Sequence, residues 1–305
     1  MNTDILNMFI DKLGKECVFT QEPMAKHTTF RVGGPADYFL APTTMEGVKD
    51  ALAICKKENL PYYIVGNGSN LLVSDAGYRG VIIQIYRNLN EVTVENDYII
   101  RTQAGAAMST VAKAALNHEL TGMECLSGIP GTIGGAVTMN AGAYGGEIKD
   151  ILVEVTVIDE SGEICTIAAN ELELGYRTSV IAKKGYVVLE AVLSLEKGDG
   201  EQILARMNEL KDQRVSKQPL EFPSAGSTFK RPEGYFAGKL IQDAGLAGYT
   251  VGGAQVSPKH CGFVVNVGGA TASDVYQLIC DVQKTVREKD QVELEPEVKI
   301  LGEFA

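Results

Sequence analysis

Apolar residues recur at helical spacing near the N-terminus, where Ile5, Met8, Phe9 and Leu13 share one face. That spacing predicts a helix over 4–14, with Asp4 as its cap. Gly33-Gly34-Pro35 forces a turn before a strand at 38–40. Thr43 and Glu46 stand at capping-box spacing ahead of Val48, Leu52 and Cys55, which predicts a helix. The apolar run Tyr62-Tyr63-Ile64-Val65 after Pro61 then completes a β-α-β passage. Short strands are expected at 81–85 and 98–103, and a helix capped by Ser109 through Asn117 with Val111, Ala114 and Ala115 inward. Alternation at Val153, Val155 and Val157 predicts a strand over 151–158, and 186–195 reads as another.

Past Gly198-Asp199-Gly200 the pattern turns helical. Ile203, Leu204, Met207 and Leu210 are in phase over 200–215, and an extended linker follows at 218–223. Helices are expected at 236–244 and 273–288, the second with Val275, Leu278, Ile279, Val282 and Val286 on one face. A strand at 264–267 lies between them. The last strand, 292–301, is apolar at 292, 294, 298 and 300 and polar at Glu293, Glu295, Glu297 and Lys299. Pro296 marks it as an edge or irregular strand. The chain therefore divides into a domain over 1–198, with its core from about 31, and a smaller one over 199–305.

One stretch departs from this regular patterning. Cys125 to Gly146 holds seven glycines in 22 residues and no charged side chain, with Glu124 and Glu147 on either side. Its bulkier members (Leu126, Ile129, Ile133, Val137, Met139) are apolar, and its polar members (Ser127, Thr132, Thr138, Asn140, Tyr144) are small or neutral hydrogen-bonders. Glycine loses more conformational freedom on folding than any other residue and packs no side chain. A run this dense suits a large flat ligand with a phosphate or amide edge lying against bare backbone. A flexible linker would be Gly/Ser-rich without β-branched residues. A second cluster, Gly66-Asn67-Gly68-Ser69-Asn70, follows the strand at 62–65 and can turn backbone N–H groups toward an anion. Neither common nucleotide motif fits: Leu71 stands where a Rossmann fingerprint needs its third glycine, and the nearest approach to a Walker loop, Gly234 to Lys239, is one residue short.

Composition narrows the classes. The chain has 305 residues, 45% apolar and 22% charged, enough for two domains with a substantial core. A net charge of −11 argues against general affinity for nucleic acid or anionic membrane, though local cations can still hold an anionic small ligand. The six cysteines form no CxxC pair and the three histidines are dispersed, so free thiols and no metal site are expected. The N-terminus is amphipathic with acids and lacks a signal core, and no apolar run reaches bilayer length, which points to the cytoplasm.

Three further segments carry candidate chemistry. Tyr176-Arg177-Thr178-Ser179 offers an Arg for bidentate capture of a carboxylate, or is a plain exposed loop. The segment 224–232, SAGSTFKRP, combines small residues, hydroxyls and two cations, which suits a sugar-phosphate beside a hydroxyl proton donor; a capped loop with surface cations reads the same way. Leu294-Glu295-Pro296-Glu297-Val298 taken alone is most simply a solvated acidic strand face.

Taken together, GNGSNLL at 66–72, SGIPGTIGGAVTMNAGAYGGE at 127–147, YRTS at 176–179, SAGSTFKRP at 224–232 and LEPEV at 294–298 resemble the UDP-N-acetylenolpyruvoylglucosamine reductase (MurB) family of peptidoglycan synthesis. The resemblance runs over essentially the whole chain. It implies an α+β protein with an FAD-binding domain of the vanillyl-alcohol-oxidase/p-cresol-methylhydroxylase (PCMH) type, then a smaller α/β substrate domain. It implies non-covalent FAD, NADPH as co-substrate and a UDP-sugar as partner, without nucleic acid or membrane; oligomeric state is left open and a monomer is compatible.

By position, Gly66, Asn67, Gly68, Ser69 and Asn70 match the family's FAD diphosphate turn. Gly128, Ile129, Pro130, Gly131, Gly134, Gly135, Asn140, Ala141 and Gly142 match its isoalloxazine and diphosphate cradle. Arg177, Ser227 and Glu297 match its catalytic positions, and Tyr176, Lys230, Arg231, Lys259 and His260 lie in its substrate-side segments. The family's longer form carries a lid insertion with a substrate-contacting Tyr. The span between Tyr176 and Tyr186 has no room for it, so this chain resembles the shorter class. In the mechanism the resemblance implies, hydride reaches C3 of the enolpyruvyl ether, Arg177 and a protonated or proton-sharing Glu297 stabilise the enolate, and Ser227 protonates C2. A flavin oxidase or dehydrogenase of the same fold and a non-catalytic flavin sensor are the alternatives. The first often binds FAD covalently through His or Cys, and the 125–146 loop has no His, only Cys125.

Overall fold

The computed structural model describes residues 2–304. The chain sorts into two compact units: one of the residues up to Thr20, Tyr38–Asn67 and Gly80–Gln213, the other of Gln21–Asp37, Gly68–Arg79 and the residues from Arg214 on. The boundary expected at 198/199 thus meets a division at 213/214, within the helix Gly200–Lys217, and two early segments join the second unit.

In the first unit, Tyr62–Val65 runs parallel to Tyr78–Gln84, with Tyr62 opposite Val81 and Val65 opposite Gln84. They belong to a four-stranded sheet that also contains Pro35–Leu40 and Val18–Pro23. A five-stranded sheet follows the order Ile164–Ala168, Leu152–Ile158, Val187–Ser194, Ile99–Gln103, Val92–Glu95, antiparallel throughout. The alternation expected over 151–158 fails at one place. A register shift between Leu152 and Glu154 puts Leu152 in the core and leaves Val153 40% exposed, while Val155 and Val157 are fully buried. One extra residue at a bulge reverses the face of everything on one side of it.

Helix ends follow their side-chain caps. Asn2, not Asp4, caps Thr3–Leu13 by accepting from the Asp4 N–H. Thr44, not Thr43, caps Met45–Lys57 by accepting from the Gly47 N–H. Met108–Asn117 begins after Ala107 with no side-chain cap, so Ser109 lies inside the first turn. In Gly200–Lys217 Ile203 and Leu210 are buried but Leu204 is exposed, because only a narrow stripe of this helix meets the core.

The second unit is built on the antiparallel sheet Ser224–Ser227, Phe263–Asn266, Ala254–Val256, Thr250–Val251. Lys299–Leu301 pairs in parallel with Leu71–Val73. Helix Ala272–Asp290 buries Val275, Leu278, Ile279, Val282 and Val286 as the periodicity requires, in a core that also takes Phe30, Val32 and Leu72 from the early segments. The strand expected over 292–301 is formed only at its end. Pro296 makes a single bridge to Phe229, alternation breaks there, and Glu297 is buried at 8% exposure, not solvated with Glu293 and Glu295. All six cysteines are free thiols.

Candidate active site

In the first unit, Arg177 sits in a two-residue turn. Gly175 and Thr178 pair across it, the Gly175 N–H donating to the Thr178 carbonyl at 3.1 Å and the Thr178 N–H to the Gly175 carbonyl at 3.3 Å. Arg177 has φ +55°. That is the third position of a turn which normally requires Gly or Asn, so a side chain is kept there at a backbone cost of about 1–2 kcal/mol. Its guanidinium lies over the half-exposed Tyr176 ring, 5.1 Å from the centroid. The turn is anchored on both sides. Ser179 Oγ donates to the Thr138 carbonyl at 2.6 Å and accepts from the Ala182 N–H, capping Val180–Lys184. Fully buried Asn140 donates from Nδ2 to the Gly175 carbonyl at 3.1 Å and to Glu147 Oε2 at 2.9 Å, and its Oδ1 accepts from the Lys149 N–H. The Lys149 ammonium, 2.6 Å from the Glu147 carboxylate, holds that carboxyl below its usual range, helped by the Asn140 amide and the charge of Arg177 against partial burial.

The glycine-rich loop contains a short helix, Ile133–Thr138, capped by Thr132. Gly66 approaches this cap so closely that a Cβ would lie 2.3 Å from Thr132 Oγ1, and Asn67 Nδ2 donates to the Pro130 carbonyl at 2.7 Å. Within the loop, a Cβ at Gly134 would press on Ala104 and one at Gly142 on the Gly146 carbonyl. Gly135 is different: it is exposed, and a Cβ there would meet only Thr132 Oγ1, at 3.6 Å. Gly128 and Pro130 are exposed as well, Ile129, Gly131, Gly134 and Gly142 half-buried, and Ala141 buried.

In the second unit, Ser227 and Glu297 lie on neighbouring segments. The Glu297 N–H donates to the Thr228 carbonyl and the Lys230 N–H to the Glu295 carbonyl, both at 2.8 Å. A bulge between Ser224 and Ser227, with Gly226 at φ +75°, turns Ser227 out to an exposed position while Thr228 stays fully buried. Bulges of this kind re-aim a side chain without ending the sheet. Asn70 Nδ2 donates to the Glu297 carbonyl at 3.1 Å, and its own carbonyl accepts from the Lys299 N–H, so the end of the glycine-rich turn and the buried acid are tied together. Gly68 has φ +63°, and a Cβ there would lie 1.9 Å from the His27 carbonyl oxygen. The N–H groups of Gly68, Ser69 and Asn70 donate to no protein group among the described residues.

The cations are individually engaged. Lys230 pairs with Glu295, and Arg231 lies 4.2 Å from the Phe236 ring centroid. Lys259 Nζ donates to the Val215 carbonyl at 2.7 Å. His260 Nδ1 accepts from the Gly262 N–H, its ring packs edge-on to Phe263, and burial pushes its pKa down. This makes it a neutral ring with its proton on Nε2.

Comparison with known proteins matches residues 36–168 to an FAD binding domain and residues 218–301 to the C-terminal domain of UDP-N-acetylenolpyruvoylglucosamine reductase. A reductase of that name from Lachnoclostridium phytofermentans is 53% identical over 99% of both chains. One from Agathobacter rectalis is 52% identical over 100% of both. The chain belongs to the UDP-N-acetylenolpyruvoylglucosamine reductase family. A solved member from Thermus caldophilus, 36% identical, superposes with a TM-score of 0.79 over 92% of this chain and 98% of its own. The glucose dehydrogenase Phl p 4.0202, at 12% identity and a TM-score of 0.50 over 65% of this chain and 44% of its own, shares the fold of that portion alone.

Against this reductase family the loop residues fit FAD. Each element by itself suits part of that group: an exposed Gly135 with room for a Cβ in the uncharged 125–146 stretch suits a flat ring system, and the undonated N–H groups at 68–70 suit a diphosphate. The side chain of Asn140 does not face such a ligand, since all its polar atoms serve Gly175, Glu147 and Lys149. Glu147, Ser179 and Thr132 also build the site, though none is a candidate by motif. Ser179 and Thr132 did leave a signal, a hydroxyl directly before an apolar helical turn, whereas a lone Glu beside a loop leaves none.

Proposed function

We propose that the chain is a flavoenzyme that reduces the enolpyruvyl group of UDP-N-acetylglucosamine enolpyruvate to UDP-N-acetylmuramate with NADPH, a step of peptidoglycan precursor synthesis. The observation that carries the reading is full-length identity to reductases of that name, spanning both the flavin part and the substrate part. The chemistry FAD supplies when bound is hydride relay from NADPH to C3 of the enolpyruvyl double bond. Gly66 to Asn70 and the 128–142 loop would hold it, with Asn140 taking part only through its backbone.

Arg177 stabilises the charge that flows from C2 into the substrate carboxylate, a placed donor of the kind worth about 3–4 kcal/mol in a dry site. Glu297, protonated or sharing a proton with that carboxylate, adds to this from a buried position. Ser227 delivers the proton to C2, and its exposed position on the bulge suits a group that must reach substrate. Tyr176, Lys230, Arg231, Lys259 and His260 are proposed for the nucleotide-sugar. No helix among the described residues is long and apolar enough to cross a membrane, and we place the reaction in the cytoplasm.

The test is a visible spectrum taken without oxygen. NADPH should bleach the flavin, and the enolpyruvyl sugar should restore its colour. Bleaching without recovery means another acceptor, and no flavin after FAD is supplied overturns the cradle reading.

A further inference from the structure

Asn140 was expected to touch the flavin, yet its side chain points elsewhere. It is fully buried, with φ +44°, a left-handed conformation that Asn tolerates better than most residues. Its two amide hydrogens go to the Gly175 carbonyl at 3.1 Å and Glu147 Oε2 at 2.9 Å, and its oxygen takes the Lys149 N–H at 3.2 Å. Glu147 and Asp150 close a reciprocal capping box over the next short helical turn, so the groups Asn140 grips are themselves fixed. Gly175 opens the turn that carries Arg177, and the charge of Arg177 is felt at Glu147. One buried amide thus joins the flavin loop, the Glu147 cap and the Arg177 turn.

We propose that Asn140 is a positioning residue for the reduction of the enolpyruvyl group: by holding the Gly175 carbonyl and Glu147 it fixes where the Arg177 guanidinium is presented. The inference rests on the reading of Arg177 given above and goes beyond it, because Asn140 touches neither substrate nor hydride. A strained turn is the element most in need of such a clamp. Arg177 at φ +55° has no intrinsic preference for that geometry, and its neighbours must impose it.

The experiment uses the full chain with FAD bound and measures both half-reactions by stopped flow, NADPH bleaching and recovery with the enolpyruvyl sugar. The variants are Asn140→Gly, which keeps the backbone angle accessible, Arg177→Ala, and the pair. Misplacing a catalytic group by about 1 Å typically costs ~10²-fold, so Asn140→Gly is expected to slow recovery ~10–100-fold, well beyond any change in bleaching. In the Arg177→Ala background the same change should cost no further recovery rate, since residues acting through one group are not additive. If Asn140→Gly slows Arg177→Ala by its full factor, or if bleaching and FAD retention fall in parallel with recovery, the proposal is overturned and the Arg177 reading stands. If Arg177→Ala recovers at the normal rate, the Arg177 reading fails and the proposal fails with it. Should Asn140→Gly not fold, Asn140→Asp carries the same measurement: it keeps the acceptor for the Lys149 N–H and loses the two donors.

Discussion

At the scale of single residues the site is marked by conformations that the local sequence does not favour. Arg177 occupies a left-handed turn position, and Arg177→Gly separates strain from function. Relief of the backbone angle, about 1 kcal/mol, offsets the loss of the guanidinium's packing on the Tyr176 ring. The melting temperature is expected to stay within a few degrees while recovery of flavin colour with the enolpyruvyl sugar slows by ~10²–10³. A melt and a single-turnover trace on the same sample check both. Gly68 behaves oppositely. A Cβ 1.9 Å from the His27 carbonyl cannot fit without moving backbone, so Gly68→Ala should lose about 2–4 kcal/mol and release FAD on gel filtration. Ser227 and Arg177 were both readable as candidates from their motifs. The burial of Glu297 was not, because period-2 alternation puts it on the polar face, and only the pairing of Pro296 with Phe229 turns it inward.

At the scale of elements, most helices and strands follow from periodicity, and their ends from partners that lie far away in sequence. The long helix Ala272–Asp290 has its own capping box from Thr271 and Asp274. A second cap reaches it from Asp75, whose carboxylate accepts from the Ala272 and Ser273 N–H groups, both at 2.8 Å, and from Ser273 Oγ. An acid at a helix N-terminus satisfies orphan donors and the positive end of the dipole together. Asp75→Ala should therefore destabilise the protein by about 1–2 kcal/mol, read as a lower denaturation midpoint with an unchanged slope. Nothing near Asp75 in the sequence signals this role, since its partners are nearly two hundred residues away.

At the scale of the whole molecule, the second unit is not a contiguous piece of chain. Residues 21–37 and 68–79 supply Phe30, Val32 and Leu72 to its core and the strand that pairs with Lys299–Leu301. A fragment beginning at Arg214 should accordingly show no cooperative melt, whereas the full chain does; calorimetry on both decides it. Acid stability is also a property of the ensemble of charges. Glu22 and Glu147 have carboxyls held below their ordinary values by hydrogen bonds and neighbouring cations against partial burial, and Asp274 by hydrogen bonds from Thr271 and Gly253. The unfolded chain binds protons more readily at these groups, so the stability they contribute is present above their unfolded pKa and lost as pH falls through the folded one. His260, held neutral by burial, adds an earlier loss of the same sign. Melting temperature is expected to be flat near neutrality, to dip slightly below pH 6.5 as unfolded His260 takes up its proton, and to fall steeply below pH 4.5, the ordinary glutamate value.

Neighbours along the chain dictate the amphipathic faces of the helices, the alternating strands, the two glycine-rich turns and the order of motifs that mark the family. These are set within a few residues, by side-chain period and by the backbone freedom of glycine, and the amino-acid order suffices to read them. Folding in three dimensions settles the rest: which acid is buried, which amide clamps the Arg177 turn, which carboxylate caps the long helix and which early segments complete the second core. Each of those depends on a hydrogen bond or a packing contact between positions tens to hundreds of residues apart. Such pairings have no period, and they come into being only when the chain has closed the loops between them.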